Sequence, residues 1–288
     1  MQDQLCIAGE TPAAPVQARR LRSQGAERPS MRDLETVLIT GASAGLGVEL
    51  ARLFAADGSN LVLVARRLDR LDDLARDLQK RCGIGVRTVQ KDLSQPGVAQ
   101  DLFTGLERDK ARVDVVINNA GFGARGRFVE LPVDRQMQMI ELNVAALTHL
   151  TRLFLPGMLE RGTGGILNVA STAGFQAGPG MSVYYASKAY VLHFTEGLAE
   201  ELRGTPITVS CLAPGPTATE FAAEANLQRS RLFSFGVMDA ETVARAGHRG
   251  FRQGKLIVIP GLKNRLVAFS VRLAPRSFAR SIAGRLNA

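Results

Sequence analysis

The sequence predicts an α/β fold, a Rossmann-like, doubly wound parallel sheet of about seven strands with helices on both faces. Three observations predict it. Short runs of β-branched and apolar residues recur along the chain, most are followed by a longer stretch with helical spacing, and the runs are apolar throughout rather than at alternate positions. A strand that is apolar on both sides is buried on both sides, which is typical of a parallel sheet between two helical layers.

The order of these runs defines the predicted elements and domains. The predicted strands cover residues 37–40, 61–65, 86–90, 113–118, 166–171, 207–213 and 256–259. The predicted helices include 45–57, 69–81, 133–160 and 182–203. Residues 1–33 lack any period and contain several Pro and Gly residues, so we expect a flexible N-terminal arm, with Met31 as an alternative start. We expect a dinucleotide-binding catalytic domain over 34–261 and basic amphipathic C-terminal helices over 262–288.

Composition and charge limit the functional class. With 288 residues, 45% of them hydrophobic, the chain is expected to be a soluble globular protein, and no apolar run approaches the roughly 18 residues of a membrane span. The net charge is +9, but all 27 acidic residues lie at or before Glu241, whereas ten of the 36 Lys and Arg residues follow it. The basicity therefore belongs to the C-terminal segment. No aromatic pattern suited to base stacking accompanies it, so we expect no nucleic acid partner.

The cysteines indicate neither a metal site nor a disulfide framework. Cys6, Cys82 and Cys211 are odd in number and widely separated. We therefore expect no metal ion and a reducing, cytoplasmic location. The basic residues near position 20 leave a transit peptide as an alternative.

A glycine-rich segment, Thr-Gly-Ala-Ser-Ala-Gly-Leu-Gly at 40–47, joins the first predicted strand to the first predicted helix. Glycine allows the tight turn and a close approach to a pyrophosphate, whose charge then lies at the positive end of the helix. The second strand ends in Ala65, Arg66 and Arg67, without the acid that would accept hydrogen bonds from a ribose 2′-hydroxyl. Arg66 suits a 2′-phosphate, so NADP(H) is favoured over NAD(H). The alternative is that both arginines are solvated surface charges.

Three further motifs lie where strands end or a helix begins. Asn-Asn-Ala-Gly at 118–121 ends the fourth predicted strand, where open α/β sheets bind ligands. Tyr184 and Lys188 are four residues apart at the start of a predicted helix and share a face. Ser171 ends the fifth strand, and Asn143 lies in a helix. Each motif alone has a structural explanation, such as an ordinary turn or a chance pair.

In this order and spacing, the motifs resemble those of the classical short-chain dehydrogenase/reductase family, of the NADP(H)-preferring type, over about residues 35–260. The resemblance includes Asp92 after the third strand, and Pro214 and Gly215 followed by Thr219. In that family, hydride passes between nicotinamide and a carbonyl or alcohol, while the protein supplies positioning and proton delivery. The resemblance therefore implies an oxidoreductase.

The resemblance also implies a role for each site residue. Tyr184 would be the general acid and base. Lys188 and the positive ring of the cofactor would lower its pKa, and Lys188 would also hold the nicotinamide ribose. Ser171 would hydrogen-bond the substrate oxygen, and Asn143 would support a proton relay through water. The residues expected to bind the cofactor are Gly41, Ser43, Gly45, Leu46, Gly47, Arg66, Asp92, Asn118, Ala120, Gly121, Tyr184, Lys188, Pro214, Gly215, Thr217 and Thr219.

The expected activity is NADP(H)-dependent oxidoreduction of a lipophilic carbonyl or alcohol. Residues 216–238 occupy the place of the family's substrate lid and include Phe221, Leu227, Leu232, Phe233, Phe235 and Met238. Together with Phe175 and Met181 they suggest an apolar pocket, although they could equally pack in a core. A 3-ketoacyl thioester reductase is the alternative within the class, and a non-catalytic NADP(H)-binding regulator is the alternative outside it. The family also implies a homo-oligomer, a dimer or tetramer.

The basic C-terminal segment has three interpretations. It carries two apolar stripes at helical spacing, formed by Leu262, Leu266, Phe269 and Leu273 and by Phe278, Ile282 and Leu286. The plainest interpretation is that both helices pack on the domain with a solvated basic face. The alternatives are peripheral binding to a membrane surface and docking of an acidic partner such as an acyl carrier protein.

Overall fold

The structure is a computed structural model that describes residues 34–221, 225 and 236–287. The predicted N-terminal arm and most of the predicted lid lie outside the described residues. The strands are β1 (Thr36–Thr40), β2 (Asn60–Ala65), β3 (Val86–Gln90), β4 (Val115–Asn118), β5 (Gly164–Val169), β6 (Ile207–Leu212), β7 (Thr217–Ala218), β8 (Met238–Asp239) and β9 (Ile257–Val258). The helices are α1 (Gly45–Ala56), α2 (Leu68–Cys82), α3 (Val98–Arg108), α4 (Val133–Ile140), a π-helix (Glu141–Ala146), α5 (Leu147–Arg161), a 3-10 helix (Thr172–Phe175), α6 (Ser182–Glu201), α7 (Ala240–Arg252), α8 (Leu262–Leu273) and α9 (Arg276–Asn287).

Seven strands form one sheet in the order β3-β2-β1-β4-β5-β6-β9, and every neighbouring pair is parallel. The remaining strands, β7 and β8, form a separate parallel pair. The predicted Rossmann-like, doubly wound parallel sheet is confirmed. No helix within the described ranges is long and apolar enough to cross a membrane.

Two helical layers cover the two faces of the sheet. Along β1, Val37 and Ile39 belong to a buried cluster with residues of α1, α2 and α7, whereas Leu38 between them belongs to a cluster with residues of α3 and α5. Alternate side chains of a strand point to opposite faces, so only an uninterrupted apolar run buries both. This explains why the strands read as continuous apolar runs in the sequence.

The helices form where apolar residues recur at helical spacing. In α2 the buried residues are Leu71, Leu74, Ala75 and Leu78, which share one face of an otherwise highly charged helix. The helix ends at Gly83, whose φ of +68° is a left-handed conformation that glycine adopts without strain. Burial of one face and a glycine stop thus define this element.

The strand order creates the crevice in which ligands bind in such sheets. β1 lies between β2 and β4, so the chain leaves β1 towards one edge and returns on its other side. A crevice forms beyond the carboxyl ends of the two strands at such a reversal. The glycine-rich segment follows β1, and residues 119–121 follow β4, so the topology brings these two motifs together.

Two of the differences from the predicted elements concern the site. The predicted helix over 133–160 is not continuous, because a π-helix separates α4 from α5. The predicted strand over 166–171 ends at Val169, and Ser171 is the N-cap of the 3-10 helix beyond it. Apolar periodicity does not distinguish a π-helical turn from the α-helix around it, which explains the first difference.

The predicted C-terminal helices are present as α8 and α9, but the α8 stripe does not pack on the domain. Leu262, Leu266, Phe269 and Leu273 are 72, 61, 60 and 74% exposed. α8 instead contacts the 3-10 helix, and its buried residue is Ala268. Spacing shows that apolar residues share a face, but it does not show whether that face meets the domain.

Candidate active site

A cavity of about 620 Å³ lies beyond the carboxyl ends of β1, β4 and β5. Its lining runs from the glycine-rich loop and the end of β2, past the segment after β4, to the first turns of α6 and to α8 and α9. Almost all of the predicted site residues that the structure describes line this one cavity. Within the described ranges, no group of three or more His, Cys, Asp or Glu side chains could hold a metal ion.

The glycine-rich loop leaves no space for side chains where it meets the segment after β4. A Cβ added to Gly41 would lie 2.9 Å from the Cα of Ala120, and the φ of Gly41 is +68°. A Cβ added to Gly47 would lie 2.2 Å from the Gly41 carbonyl oxygen. Gly41 lines the cavity with Ser43, Gly45 and Leu46, whereas Gly47 is buried behind them. Gly47 therefore lets α1 approach the loop.

Thr40 and Asn119 hold this loop to the neighbouring strand. The Thr40 hydroxyl accepts hydrogen bonds from the backbone N–H groups of Asn119 and Ala120, at 3.1 and 3.0 Å. The Asn119 amide donates to the carbonyl oxygens of Thr40, at 2.9 Å, and Gly41, at 3.3 Å. Both residues stand within the motifs at 40–47 and 118–121, but neither was among the residues expected to bind the cofactor.

The end of β2 presents two arginines to the cavity rather than one. Arg66 and Arg67 both line it. Arg67 donates from Nε and Nη2 to the Ser43 hydroxyl, at 3.3 and 3.2 Å, and from Nη1 to Glu220, at 2.8 Å. Arg70 also contacts Glu220, and the hydrogen bonds from Arg70 and Arg67 lower the pKa of that carboxyl. Arg67 thus lines the cavity beside Arg66, although only Arg66 was predicted to meet the cofactor.

Asp92 lines the cavity beside these arginines. Its carboxylate accepts hydrogen bonds from the backbone and the hydroxyl of Ser94, at 3.0 and 2.7 Å. These bonds fix its orientation in the turn after β3.

Asn118 does not face the cavity, unlike the Asn119, Ala120 and Gly121 that follow it. Its buried amide donates to Thr151, at 3.0 Å, and to Asn168, at 2.9 Å. The prediction that Asn118 contacts the cofactor directly is therefore corrected. Asn118 is still within β4, and its side chain joins β4 to β5 and α5.

Ser171, Tyr184 and Lys188 meet at the opposite end of the cavity. Ser171 accepts a hydrogen bond from the Ala173 N–H, at 3.1 Å, and donates to the Pro214 carbonyl, at 3.4 Å. Tyr184 lies in the first turn of α6 and is 7% exposed. One turn later, Lys188 Nζ donates to the Val169 carbonyl at 2.8 Å and lies 5.9 Å from the Tyr184 ring centroid.

Burial dominates the protonation of this pair. It raises the pKa of Tyr184 well above its ordinary value, and a hydrogen bond with Ser171 works in the opposite direction. Burial also lowers the pKa of Lys188 to about 8. In the protein without a nicotinamide, desolvation of the phenolate is the largest contribution, so the net effect is a raised pKa. The expected lowering by Lys188 together with the positive nicotinamide ring stays a prediction.

Asn143 lies in the π-helix, behind the cavity lining. Its amide donates to the Phe122 carbonyl and to the Ser187 hydroxyl, both at 3.0 Å, and its oxygen accepts from the Phe122 N–H at 3.1 Å. A Cβ added to Gly121 would lie 2.9 Å from the Asn143 oxygen and 3.4 Å from Lys188 Nζ. Asn143 thus joins the segment after β4 to α6. Its relay role stays a prediction.

The remaining predicted cofactor residues follow β6 and close the cavity from one side. Pro214, Gly215, Thr217 and Thr219 all line it. The side chain of Thr219 reaches the glycine-rich loop, because a Cβ added to Gly45 would lie 3.0 Å from it.

The walls beyond Tyr184 are mostly apolar. Phe221 lies against Tyr184, with ring centroids 5.4 Å apart, and Met181 lines the same region. Phe175 instead packs in a separate core cluster, and Met238 packs against the core under α1. The predicted lid residues Leu227, Leu232, Phe233 and Phe235 lie outside the described residues.

α8 and α9 complete this end of the cavity, which the sequence did not predict. Their lining residues include Val267, Val271, Ile282 and Leu286. α9 is held by Asn287, which is 2% exposed. Its amide donates to the Pro179 carbonyl at 3.0 Å and its oxygen accepts from the Tyr185 hydroxyl at 3.2 Å. No local pattern connects positions so far apart in the chain.

Comparisons with known proteins give the family and the fold. The family model described as short chain dehydrogenase matches residues 35–230. An NADP-dependent 3-hydroxy acid dehydrogenase of Salmonella typhi is 36% identical over 189 residues, which is 65% of this chain and 75% of the relative. A short-chain dehydrogenase from Sphingobium yanoikuyae in complex with NADPH is 38% identical, with a TM-score of 0.75 over 83% of this chain and 94% of that chain. The bulky-bulky ketone specific alcohol dehydrogenase from Comamonas testosteroni is 32% identical, with a TM-score of 0.71 over 83% and 92% of the two chains.

Proposed function

The chain belongs to the short-chain dehydrogenase family, and we propose that it catalyses NADP(H)-dependent hydride transfer between nicotinamide and a lipophilic carbonyl or alcohol. The observation that carries the proposal is the meeting of Ser171, Tyr184 and Lys188 at one end of a cavity whose walls beyond them are mostly apolar. The relatives' names include an NADP-dependent dehydrogenase and a ketone-specific alcohol dehydrogenase, which supports the same reaction class.

The residues at the other end fit a phosphorylated dinucleotide. Gly41 and Gly45 have positive φ and line the cavity, where a loop without side chains lets a pyrophosphate approach the backbone at the start of α1. Arg66 and Arg67 provide guanidinium groups for a 2′-phosphate, with Ser43 beside them. When bound, the nicotinamide supplies or accepts the hydride. NAD(H) is the weaker alternative, because no acid ends β2.

Tyr184 would hold and move the proton. Its raised pKa keeps the phenol protonated near neutrality, which suits donation to the alkoxide formed during carbonyl reduction. In the oxidative direction the phenolate is needed, and the positive charge of the oxidised nicotinamide and of Lys188 would favour it. Ser171 would position the substrate oxygen for this transfer.

A 3-ketoacyl thioester reductase is the second candidate. One observation favours it: Lys263 lines the same wall of the cavity as Val267, so an acidic group and an acyl chain could be held side by side. The third candidate, a regulator that binds NADP(H) without turnover, does not account for a buried proton donor hydrogen-bonded to Ser171. We further propose a homo-oligomeric, cytoplasmic enzyme, which size-exclusion chromatography with light scattering and cell fractionation would test.

The experiment is a panel of lipophilic ketones, aldehydes and 3-ketoacyl thioesters assayed with NADPH and NADH. We expect Tyr184→Phe to lower kcat by about 10²–10⁴-fold, since it removes the proton donor. The Kd for NADPH, measured by fluorescence titration, should change little. Tyr190→Phe is the matched control, because Tyr190 is half exposed and lies outside the cavity.

Each outcome of the panel separates the candidates. Preferred turnover of thioesters would replace the first candidate with the second. No turnover of any carbonyl by the wild type, with NADPH still bound, would favour the regulator. An unchanged kcat in Tyr184→Phe would remove the phenol from the reaction.

A further inference from the structure

The outer face of α8 is apolar and projects away from the domain. Leu262, Leu266, Phe269 and Leu273 are spaced so that they form one narrow stripe along the helix, and each is more than half exposed. Ala268, which is buried, lies on the opposite side of the helix. The large apolar side chains of α8 therefore contribute little to holding the helix in place.

Small and polar residues attach α8 instead. Asn264 donates to the Pro260 carbonyl at 2.8 Å, and a Cβ added to Gly215 would lie 2.5 Å from its side-chain oxygen. Val271 lines the cavity on the same side. One face of α8 thus forms the cavity wall, while the stripe faces outward.

α9 continues this surface. Phe278 is 59% exposed, whereas Ala279 and Ala283 are buried, and Ile282 lines the cavity. Asn287 fixes the end of the helix to the domain, as described above. The exposed apolar side chains therefore stand on two anchored helices rather than on a loose tail.

The same two helices carry only positive charge. Their exposed charged residues are Lys263, Arg265, Arg272, Arg276, Arg280 and Arg285. Neither helix contains an acidic residue. A large apolar stripe flanked by basic side chains is typical of a helix that lies in the plane of an anionic lipid surface.

We propose that α8 and α9 form a docking surface for a bilayer that contains anionic lipids, with the substrate end of the cavity beside the membrane. A second copy of the chain is disfavoured as the occupant, because a symmetric contact would oppose six cations of one copy to six of the other. An anionic bilayer complements both the charge and the protruding apolar side chains. An acidic protein complements the charge alone.

The position of α8 gives this docking a consequence for catalysis. The helix that would enter the lipid surface is also the wall of the apolar end of the cavity, through Val267, Val271 and Ala268. A lipophilic substrate could then pass from the bilayer to Tyr184 along one helix. This step rests on the proposed function, whereas the docking itself does not.

The test is flotation of the full chain with vesicles of phosphatidylcholine alone or with 30% phosphatidylglycerol, at ~0.1 M salt. We expect binding to the anionic vesicles only. Leu266→Ser combined with Phe269→Ser should weaken it at least about 10-fold, whereas Val129→Ser with Val133→Ser, at exposed sites outside α8 and α9, should not. Arg265→Gln with Arg272→Gln should weaken it about 25-fold. The charge control is Arg76→Gln with Arg81→Gln on α2.

Three results would overturn the proposal. One is equal vesicle binding by the wild type and by the stripe variant, which is Leu266→Ser combined with Phe269→Ser. Another is no binding of the wild type to anionic vesicles. The third is a protein that does not bind vesicles but shows saturable binding of a purified acyl carrier protein, or self-association, either of which the stripe variant abolishes. Turnover of a water-soluble ketone separates this proposal from the proposed function, because the stripe variant should retain it. Vesicle binding without any turnover would leave docking intact and reject the activity.

Discussion

At the scale of single residues, the buried ammonium of Lys188 lowers the stability of the folded protein. Its ammonium is buried, and burial lowers its pKa to about 8. The hydrogen bond to Val169 only partly replaces water around the charge. A charged lysine at this position therefore destabilises the folded protein near neutrality, as is common where a residue is kept for function; the proposed role of the charge is to favour the phenolate and hold the cofactor.

This conflict predicts a pH-dependent stability difference between the cofactor-free wild type and Lys188→Met. The unfolded chain keeps the lysine proton to about pH 10, whereas the folded chain releases it near 8, so the unfolded state binds more protons between these values. The free energy of unfolding of the wild type should rise relative to the variant, by about 1 kcal/mol from pH 7 to pH 9. Urea denaturation at several pH values measures it, with Lys80→Met on α2 as the exposed control. A difference independent of pH would contradict the assignment.

The two arginines after β2 predict the cofactor preference. Replacing either Arg66 or Arg67 with Asp should shift the NADPH/NADH ratio of kcat/KM towards NADH by about 10- to 100-fold, because a charge-assisted phosphate contact is replaced by repulsion. Steady-state kinetics with both cofactors measures it, and Arg76→Asp on the exposed side of α2 is the control. If only Arg67 variants change the ratio, then Arg66 has no part in phosphate recognition.

At the scale of elements, the contact of α7 with the sheet depends on two residues without side chains. A Cβ added to Gly247 would lie 2.6 Å from Leu212, and one added to Gly250 would lie 2.3 Å from Val258. These two glycines let the helix lie close to β6 and β9. In the sequence they resemble helix-weakening residues within a charged helix, and only the packing explains them.

Gly250→Ala should therefore lower the free energy of unfolding by about 1–3 kcal/mol, because the methyl group overpacks against Val258. Gly105→Ala in α3 is the matched control, since no atom lies within 4 Å of its added Cβ. That control should raise stability by about 0.5–1 kcal/mol through helix propensity. Chemical denaturation of both variants measures the contrast, and equal effects would show that α7 can shift to admit the methyl group.

The elements also show where sequence patterns lose information. Strand positions were predictable because each buried strand is a continuous apolar run between two helical layers. The apolar stripe of α8 was predictable, but its outward orientation was not, because helical spacing does not indicate which face of a helix packs on the domain. The π-helix around Asn143 was not predictable, because one extra residue in a turn leaves the apolar pattern nearly unchanged.

At the scale of the whole molecule, the two ends of the described chain build the two ends of one cavity. The glycine-rich loop and β2 form the end proposed to bind the cofactor, called the cofactor end, and α8 and α9 form the apolar end. Asn287 connects the last helix to Tyr185, which is 102 residues earlier and adjacent to Tyr184, the proposed proton donor. The family model ends at residue 230, so α8 and α9 lie beyond the part of the chain that it matches.

Asn287→Ala should loosen the attachment of α9 to the domain without affecting the cofactor end of the cavity. The variant loses side-chain hydrogen bonds to Pro179 and Tyr185, which together contribute about 1–3 kcal/mol. We expect amide hydrogen exchange in α9 to quicken about 10- to 100-fold and KM for a lipophilic ketone to rise, with an unchanged Kd for NADPH. Ser281→Ala, at an exposed position of α9, is the control. Unaltered exchange would show that Asn287 does not hold the helix.

The sequence by itself determined the parallel sheet, the family and the positions of Ser171, Tyr184 and Lys188, because these depend on local apolar runs and on motifs at strand ends. Tertiary structure decided which arginine meets Ser43, which way Asn118 and the α8 stripe face, and that the last helices wall the cavity. Those features depend on contacts between distant segments, and their burial also decides the pKa values of Tyr184 and Lys188. Desolvation is a property of the packed surroundings, so no local pattern reports it.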